Sequence, residues 1–208
     1  MIAIDDFIDQ FSTVFSSVKE LDPWMITQNL PATVQLMIRD LDDSYVVQNG
    51  IAIHRTAIVE MGAVLKPPII LAENSFVGAH AYLRGGVYVG SGSRIGPGCE
   101  LKSSLILAHT ASAHFNFIGD SIIGNNVNFE AGSVIANHFN EKNGSDKLIR
   151  VRYQNTAIET NMVKFGALVG DGSRIGANAV LSPGTILPRQ SIVKRLELVD
   201  QQAIRQLS

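Results

Sequence analysis

The chain of 208 residues holds one cysteine, no run of basic residues and no long apolar stretch. Each shortage excludes a class of protein. Cys99, being alone, rules out an intramolecular disulfide and suits a reducing compartment, so the sequence predicts a cytoplasmic protein. Seventeen Lys and Arg stand against nineteen Asp and Glu, a net charge of -2, which does not describe a nucleic-acid binder. Any contact with a small polyanion must then come from a few placed cations. No segment approaches the roughly 20 apolar residues that a membrane helix needs. Met1 to Leu21 alternates Phe and Val with Asp, Gln and Ser, and so lacks both the basic start and the unbroken apolar core of a secretion signal.

What the chain has is a period. Counting by sixes from Ile53 gives Val59, Leu65, Leu71, Val77, Leu83, Val89, Ile95, Leu101 and Leu107, an unbroken aliphatic series. With 46% of the chain apolar, such a series has a chance of under about one in a thousand. The phase resumes at Ile123, Phe129 and Ile135, and again at Val163, Val169, Ile175, Leu181, Leu187 and Val193. A period of six fits neither an α-helix nor antiparallel hairpins. It fits a short strand plus a turn, one inward residue per repeat, in an all-β, left-handed parallel β-helix. Gly78, Gly90, Gly96, Gly124, Gly170 and Gly176 each follow an inward position, where a corner needs close backbone approach.

A β-helix is open at both ends, and the termini read as covers. Phe7, Phe11, Val14, Phe15 and Val18 recur at helical spacing, Pro31 to Leu41 reads as a short helix opened by proline, and Leu196, Val199, Ala203, Ile204 and Leu207 suggest a closing helix. The expected organisation is a helical cap over residues 1–50, a coil over 51–193 with an inserted loop at 138–157, and a helix over 194–208. Two breaks interrupt the repeat: residues 108–120, and the polar stretch from Asn137 to Ala157. Long loops on a rigid coil commonly carry function.

Several stretches occur in a telling order: Tyr-Leu-Arg-Gly-Gly (82–86), Glu-Leu-Lys (100–102), His-Phe-Asn-Phe-Ile-Gly-Asp-Ser (114–121), Gly-Asn-Asn-Val-Asn (124–128), Ala-Gly-Ser (131–133), Ala-Asn (136–137) and Lys-Phe-Gly-Ala-Leu-Val-Gly-Asp (164–171). Over roughly residues 50–190 the chain resembles the acetyltransferase half of the bifunctional bacterial and archaeal enzymes that make UDP-N-acetylglucosamine from glucosamine-1-phosphate. The resemblance implies a homotrimeric acyltransferase in nucleotide-sugar biosynthesis, using acetyl-CoA as co-substrate and an amino-sugar phosphate as acceptor. His114 aligns with the catalytic histidine, which takes a proton from the sugar's 2-amino group as that nitrogen attacks the thioester. An imidazole that titrates near neutrality suits the task. Arg84 and Lys102 match phosphate-binding positions, and a guanidinium fork with an ammonium suits a dianion. Asn128 and Asn137 match amides that hold the acceptor, Phe117 lies at the same site, and Lys164, with Lys142 and Lys147 as competitors, matches a lysine from the loop side. Ala177 falls where a backbone N–H steadies the thioester oxygen, and Lys194 with Arg195 where CoA phosphates lie.

The departures are as informative. Phe117 and His138 stand where relatives carry tyrosines, and Glu130 where a small residue is common. The relatives also begin with a nucleotide-binding α/β domain, for which residues 1–50 are too short, so no nucleotidyltransferase activity is expected of this chain and a separate nucleotidyltransferase is a conceivable partner. Two further readings stay open. His80, His109 and His114 would be the zinc ligands if the chain were like the γ-type carbonic anhydrases, which share the coil. A non-catalytic sugar-binding or assembly subunit would tolerate the departures.

Overall fold

The computed structural model describes residues 1–154 and 156–201. From Ile51 the chain winds into a left-handed parallel β-helix of about eight turns. Each turn contributes three short strands, so the coil is a prism with three faces. The register gives three inward columns. On the first face these are Ile53, Leu71, Val89, Ile106, Ile123, Val169 and Leu187. On the second they are Val59, Val77, Ile95, Ser112, Phe129, Ile175 and Val193. On the third they are Leu65, Leu83, Leu101, Ile118, Ile135, Leu181 and Val199. Nearly all form one buried core, and burying each aliphatic side chain contributes about 1.5–3 kcal/mol.

The repeat is not uniform. Leu71 pairs with Val89 across eighteen residues, but Val89, Ile106 and Ile123 are seventeen apart. The residue is lost on the strands Tyr82–Val89 and Glu100–Ile106, where Gly85 and Gly86 together face the single Ser103. Strict counting by sixes therefore misplaces Leu107. Ile106 points inward, and Leu107 turns out into a second apolar layer.

That second layer covers the first face. Its outward column, Ala52, Ile70, Tyr88, Leu105, Ile122, Leu168 and Ile186, is apolar, and the N-terminal segment lies across it. Helix α1 (Phe11–Val14) is one turn, and helix α2 (Pro23–Met37) buries Trp24, Ile26, Leu30 and Val34. Phe15 meets Tyr88 edge-on at 5.2 Å, and Trp24 meets Phe165 at 6.0 Å. The helices are thus a lateral strap, not the cap on an open end that the sequence suggested, because the apolar column they cover runs along the side of the prism. Two details change with this. Val14 is exposed while Phe7, Phe11, Phe15 and Val18 are buried. The proline that opens α2 is Pro23, at its first turn, where a missing N–H costs nothing. Pro31 sits inside the helix instead. The first coil is closed by an antiparallel hairpin of Tyr45–Gln48 with Ile51–His54.

The insertion leaves after Asn137 and returns at Phe165, whose N–H donates to the Asn137 carbonyl at 3.0 Å. It extends past the expected boundary of 157, because it contains a hairpin of Arg150–Tyr153 with Thr156–Glu159. It folds back on the flank, burying Phe139, Ile149 and Val151, with Tyr153 against Phe7 at 5.9 Å. Val163 belongs to this insertion and is half exposed, so it is not an inward position. At the other terminus the expected helix does not begin at Lys194. Leu198–Val199 is another coil strand, with Val199 opposite Leu181, since the six-residue phase runs on from Val193. Ala203, Ile204 and Leu207 lie outside the described residues.

Candidate active site

The sequence-predicted residues fall on either side of one edge of the prism. The strand Ala111–Ser112 of the second face leads through residues 113–116 into Phe117–Gly119 of the third. His114 lies on that corner, exposed to solvent, and its carbonyl accepts the Gly132 N–H at 2.9 Å. The corner is anchored from inside by Asn116, which is 2% exposed. The Asn116 amide donates to the Glu130 carbonyl at 2.8 Å and to Ser133 Oγ at 2.7 Å, while its Oδ1 accepts from Ser112 Oγ at 3.0 Å. A buried amide with both ends satisfied fixes a backbone turn more stringently than apolar packing does. Sequence reasoning gave Asn116 and Ser112 no role. The available signal was a serine between Ile95 and Phe129 in an otherwise aliphatic column.

On the third face lies a polar cluster. Arg84 Nε donates to Glu100 Oε1 at 2.9 Å. Lys102 Nζ lies 2.8 and 2.7 Å from the two oxygens of Asp120, whose side chain is 8% exposed. Asn137 donates to the same carboxylate, and its own oxygen contacts His138 Nδ1 at 3.0 Å. The Phe117 ring lies over Gly119 beside the Asn137 amide, since a Cβ at Gly119 would come 2.8 Å from that ring and 2.9 Å from Asn137 Nδ2. The structure thus brings Arg84, Lys102, Phe117 and Asn137 to one surface. Lys164 is exposed at the foot of the insertion, next to Phe165. Glu100 and Asp120 belong to this cluster as much as the cations do. The alternation Glu100, Leu101, Lys102 places acid and base outward on one strand, where Glu100 meets Arg84 of the preceding coil and Lys102 meets Asp120 of the next.

On the second face is a groove of about 510 Å³, floored by Ile175, Ile192 and Val193 and walled by Asn128, Glu130, Arg174, Lys194 and Arg195. Glu130 spans it. Its carboxylate accepts from Arg195 Nε and Nη2 at 2.7 Å each and from the Ala177 N–H at 2.8 Å. The Arg195 hydrogen bonds, then the Ala177 N–H, lower the Glu130 pKa to about 2. Asn128, Ala177, Lys194 and Arg195 therefore share a site, separate from the third-face cluster, with His114 on the edge between the two.

The histidines of the zinc reading do not gather in one chain. His80 and His114 lie on the edge between the second and third faces, but His109 follows Leu107 on the edge between the first and second. Among the described residues no group of three His, Cys, Asp or Glu side chains is close enough to hold a metal ion. No helix among them is long and apolar enough to cross a membrane.

A parallel coil of six-residue sides, with a histidine corner between a face bearing a cluster of paired charges and a face bearing a groove, defines a hexapeptide-repeat β-helix protein. The chain belongs to the GMPPB C-terminal domain family, whose model matches residues 46–195. It is similar to a bifunctional sugar-1-phosphate nucleotidylyltransferase/acetyltransferase of Sulfurisphaera tokodaii, 29% identical over 79% of this chain and 38% of that protein. The bifunctional protein GlmU of Methanococcus vannielii is 27% identical over 74% of this chain and 38% of that protein. The chain thus spans about two fifths of the length of these curated relatives. A hexapeptide transferase family protein from Anaplasma phagocytophilum, solved by crystallography, aligns with a TM-score of 0.40 at 18% identity, covering 76% of this chain and 79% of that one.

Proposed function

We propose that this protein is an acetyl-CoA-dependent N-acyltransferase that acts, as a homotrimer, on an amino-sugar phosphate such as glucosamine-1-phosphate, in nucleotide-sugar biosynthesis. The observation that carries the reading is the position of His114, exposed on the edge between the Arg84–Lys102 cluster and the Asn128–Arg195 groove. In this reading the third-face cluster holds the sugar phosphate, with Phe117 and Asn137 against the ring and Lys164 reaching in from the insertion. The second-face groove holds the acyl donor, with Lys194 and Arg195 toward its phosphates and the Ala177 N–H toward its thioester oxygen. His114 takes the proton from the amine as the new C–N bond forms, the C–S bond breaks, and the departing thiolate takes that proton back from the imidazolium and leaves as free CoA thiol.

The names of the relatives support acetyl transfer and sugar-1-phosphate chemistry as the class. The trimer is supported by the outward column of the third face, where Val64, Tyr82, Glu100, Phe117, Val134, Val180 and Leu198 stand in register and at least partly exposed. Apart from Glu100, which is held by Arg84, the column is more apolar than a free surface needs. The test is to incubate the protein with acetyl-CoA and a panel of amino-sugar phosphates and to measure free thiol. Release that depends on one acceptor and disappears in His114→Ala supports the reading, and no release with any acceptor removes it.

One observation favours a non-catalytic sugar-binding or assembly subunit instead. Arg84 and Lys102 are each paired with a carboxylate of the same chain, which lowers their pull on a phosphate. Calorimetric titration with glucosamine-1-phosphate and acetyl-CoA separates the readings, because a subunit without catalysis binds no acyl donor.

A further inference from the structure

Glu130 joins three successive coils. It follows the strand Asn128–Phe129, its carboxylate caps the N–H of Ala177 one coil on, and it forks onto Arg195 one coil further. The groove is shaped around this contact. A Cβ at Gly176 would come within 2.4 Å of the Arg195 backbone nitrogen, so only glycine lets the turn carrying Arg195 lie so close to Ala177. The Glu130 side chain is 36% exposed and that of Arg195 73%, so the pair is a surface lock and not a core element.

A carboxylate on a guanidinium fork and a backbone N–H uses the same donors that a phosphorylated thioester would use: cations for its anionic groups and an N–H for its carbonyl oxygen. Arg174 and Lys194 line the same groove, which adds to its attraction for anions. We infer that Glu130 is an internal competitor for the donor groove, a specificity residue that an acyl-CoA must displace before it reaches Arg195 and Ala177. This rests on the reading of that groove as the donor site. A ligand with several anionic groups replaces Glu130 without loss, because its other anions engage Arg174 and Lys194. A thioester without phosphates has nothing to offset the broken pair. The lock thus selects polyanionic donors over simple thioesters.

The experiment is isothermal titration of acetyl-CoA into the full chain and its variants Glu130→Gln, Glu130→Ala and Arg195→Ala, at several salt concentrations, with a thermal melt of each. The glutamine variant keeps an acceptor for the Ala177 N–H but frees Arg195, and the alanine variant frees both. The expected result is acetyl-CoA binding about tenfold tighter in Glu130→Ala than in the wild type, with Glu130→Gln between them. The salt dependence should be steeper in both, since one more cation then faces the ligand. Arg195→Ala should bind no tighter than the wild type. If the wild type and both Glu130 variants bind equally, or if the variants bind more weakly with unchanged melting, the competitor role is overturned while the donor groove stands. If no protein in the series binds acetyl-CoA, the donor groove and the inference fall together.

Discussion

Gly86 lies directly beneath Pro31: a methyl group at Gly86 would stand 2.6 Å from the Pro31 nitrogen and 2.7 Å from the Leu30 carbonyl carbon. The glycine sits at φ +85°, in the bulge where the coil loses register, and α2 crosses the prism at that point. The irregular coil and the docking of the strap are therefore one feature. The bulge supplies a position without a side chain, and the helix backbone occupies the space.

Gly86→Ala should destabilise the fold by about 2–4 kcal/mol, since it combines a left-handed backbone with a clash against main chain that cannot swing away. Urea unfolding of the variant checks this. Substitution at Gly144, also at positive φ but with nothing within 4 Å, should cost about 1 kcal/mol, for the backbone conformation alone.

Asn116→Ala should cost about 1–3 kcal/mol, because it removes the buried amide that ties Ser112, Glu130 and Ser133 together and leaves only the Ser133 hydroxyl on the Glu130 carbonyl. If the corner positions His114, the variant should also lose turnover at temperatures where circular dichroism reports it folded.

His114→Ala should leave the melting temperature unchanged, since the side chain is exposed to solvent. Acetyl transfer should fall by about 10²–10⁴-fold, the usual contribution of a general base. Measuring free CoA beside a thermal melt tests both halves.

The Glu130 lock has an acid limit. Its folded pKa is depressed from 4.5 to about 2, so its contribution to stability is fully present above about pH 4.5 and is lost as pH falls toward 2. Wild-type melting temperature should therefore fall more between pH 4.5 and pH 2 than that of Glu130→Gln. Parallel curves would show that the lock adds nothing to stability.

The period of six carried most of the architecture, because an inward position in a parallel coil is defined by local spacing. It failed where one side was a residue short and where the chain left the coil. Leu107 lost its place to Ile106 because the side from Leu101 to Ile106 has five residues, with the single Ser103 opposite Gly85 and Gly86, and Val163 matched the phase by coincidence inside an insertion that turns its side chain out. The termini misled for another reason. Apolar residues at helical spacing announce that something will be covered, but not which surface, and the flank column of Ile70, Leu105 and Ile122 was hidden among strands already assigned to the core. At the candidate site the cations and His114 were legible as residue types in a known order. Their partners were not. Glu130 meets Ala177 and Arg195 across 47 and 65 residues, a match set by how the coils stack after the insertion.

A stack of repeats ordinarily frays from its ends, each turn held only by its neighbours. Here the strap that begins in the first residues reaches the far turns: Arg189 donates to the Asp5 carbonyl at 2.7 Å, and the Asp171 N–H to that of Phe7 at 2.9 Å. From there it runs back to dock α2 on the early turns. The far turns cannot peel away without releasing the strap, and the strap finds its full surface only when the far turns exist. The molecule is stitched end to end, so it should melt in one step, and a chain halted partway through synthesis would carry an unclosed apolar seam for chaperones to hold.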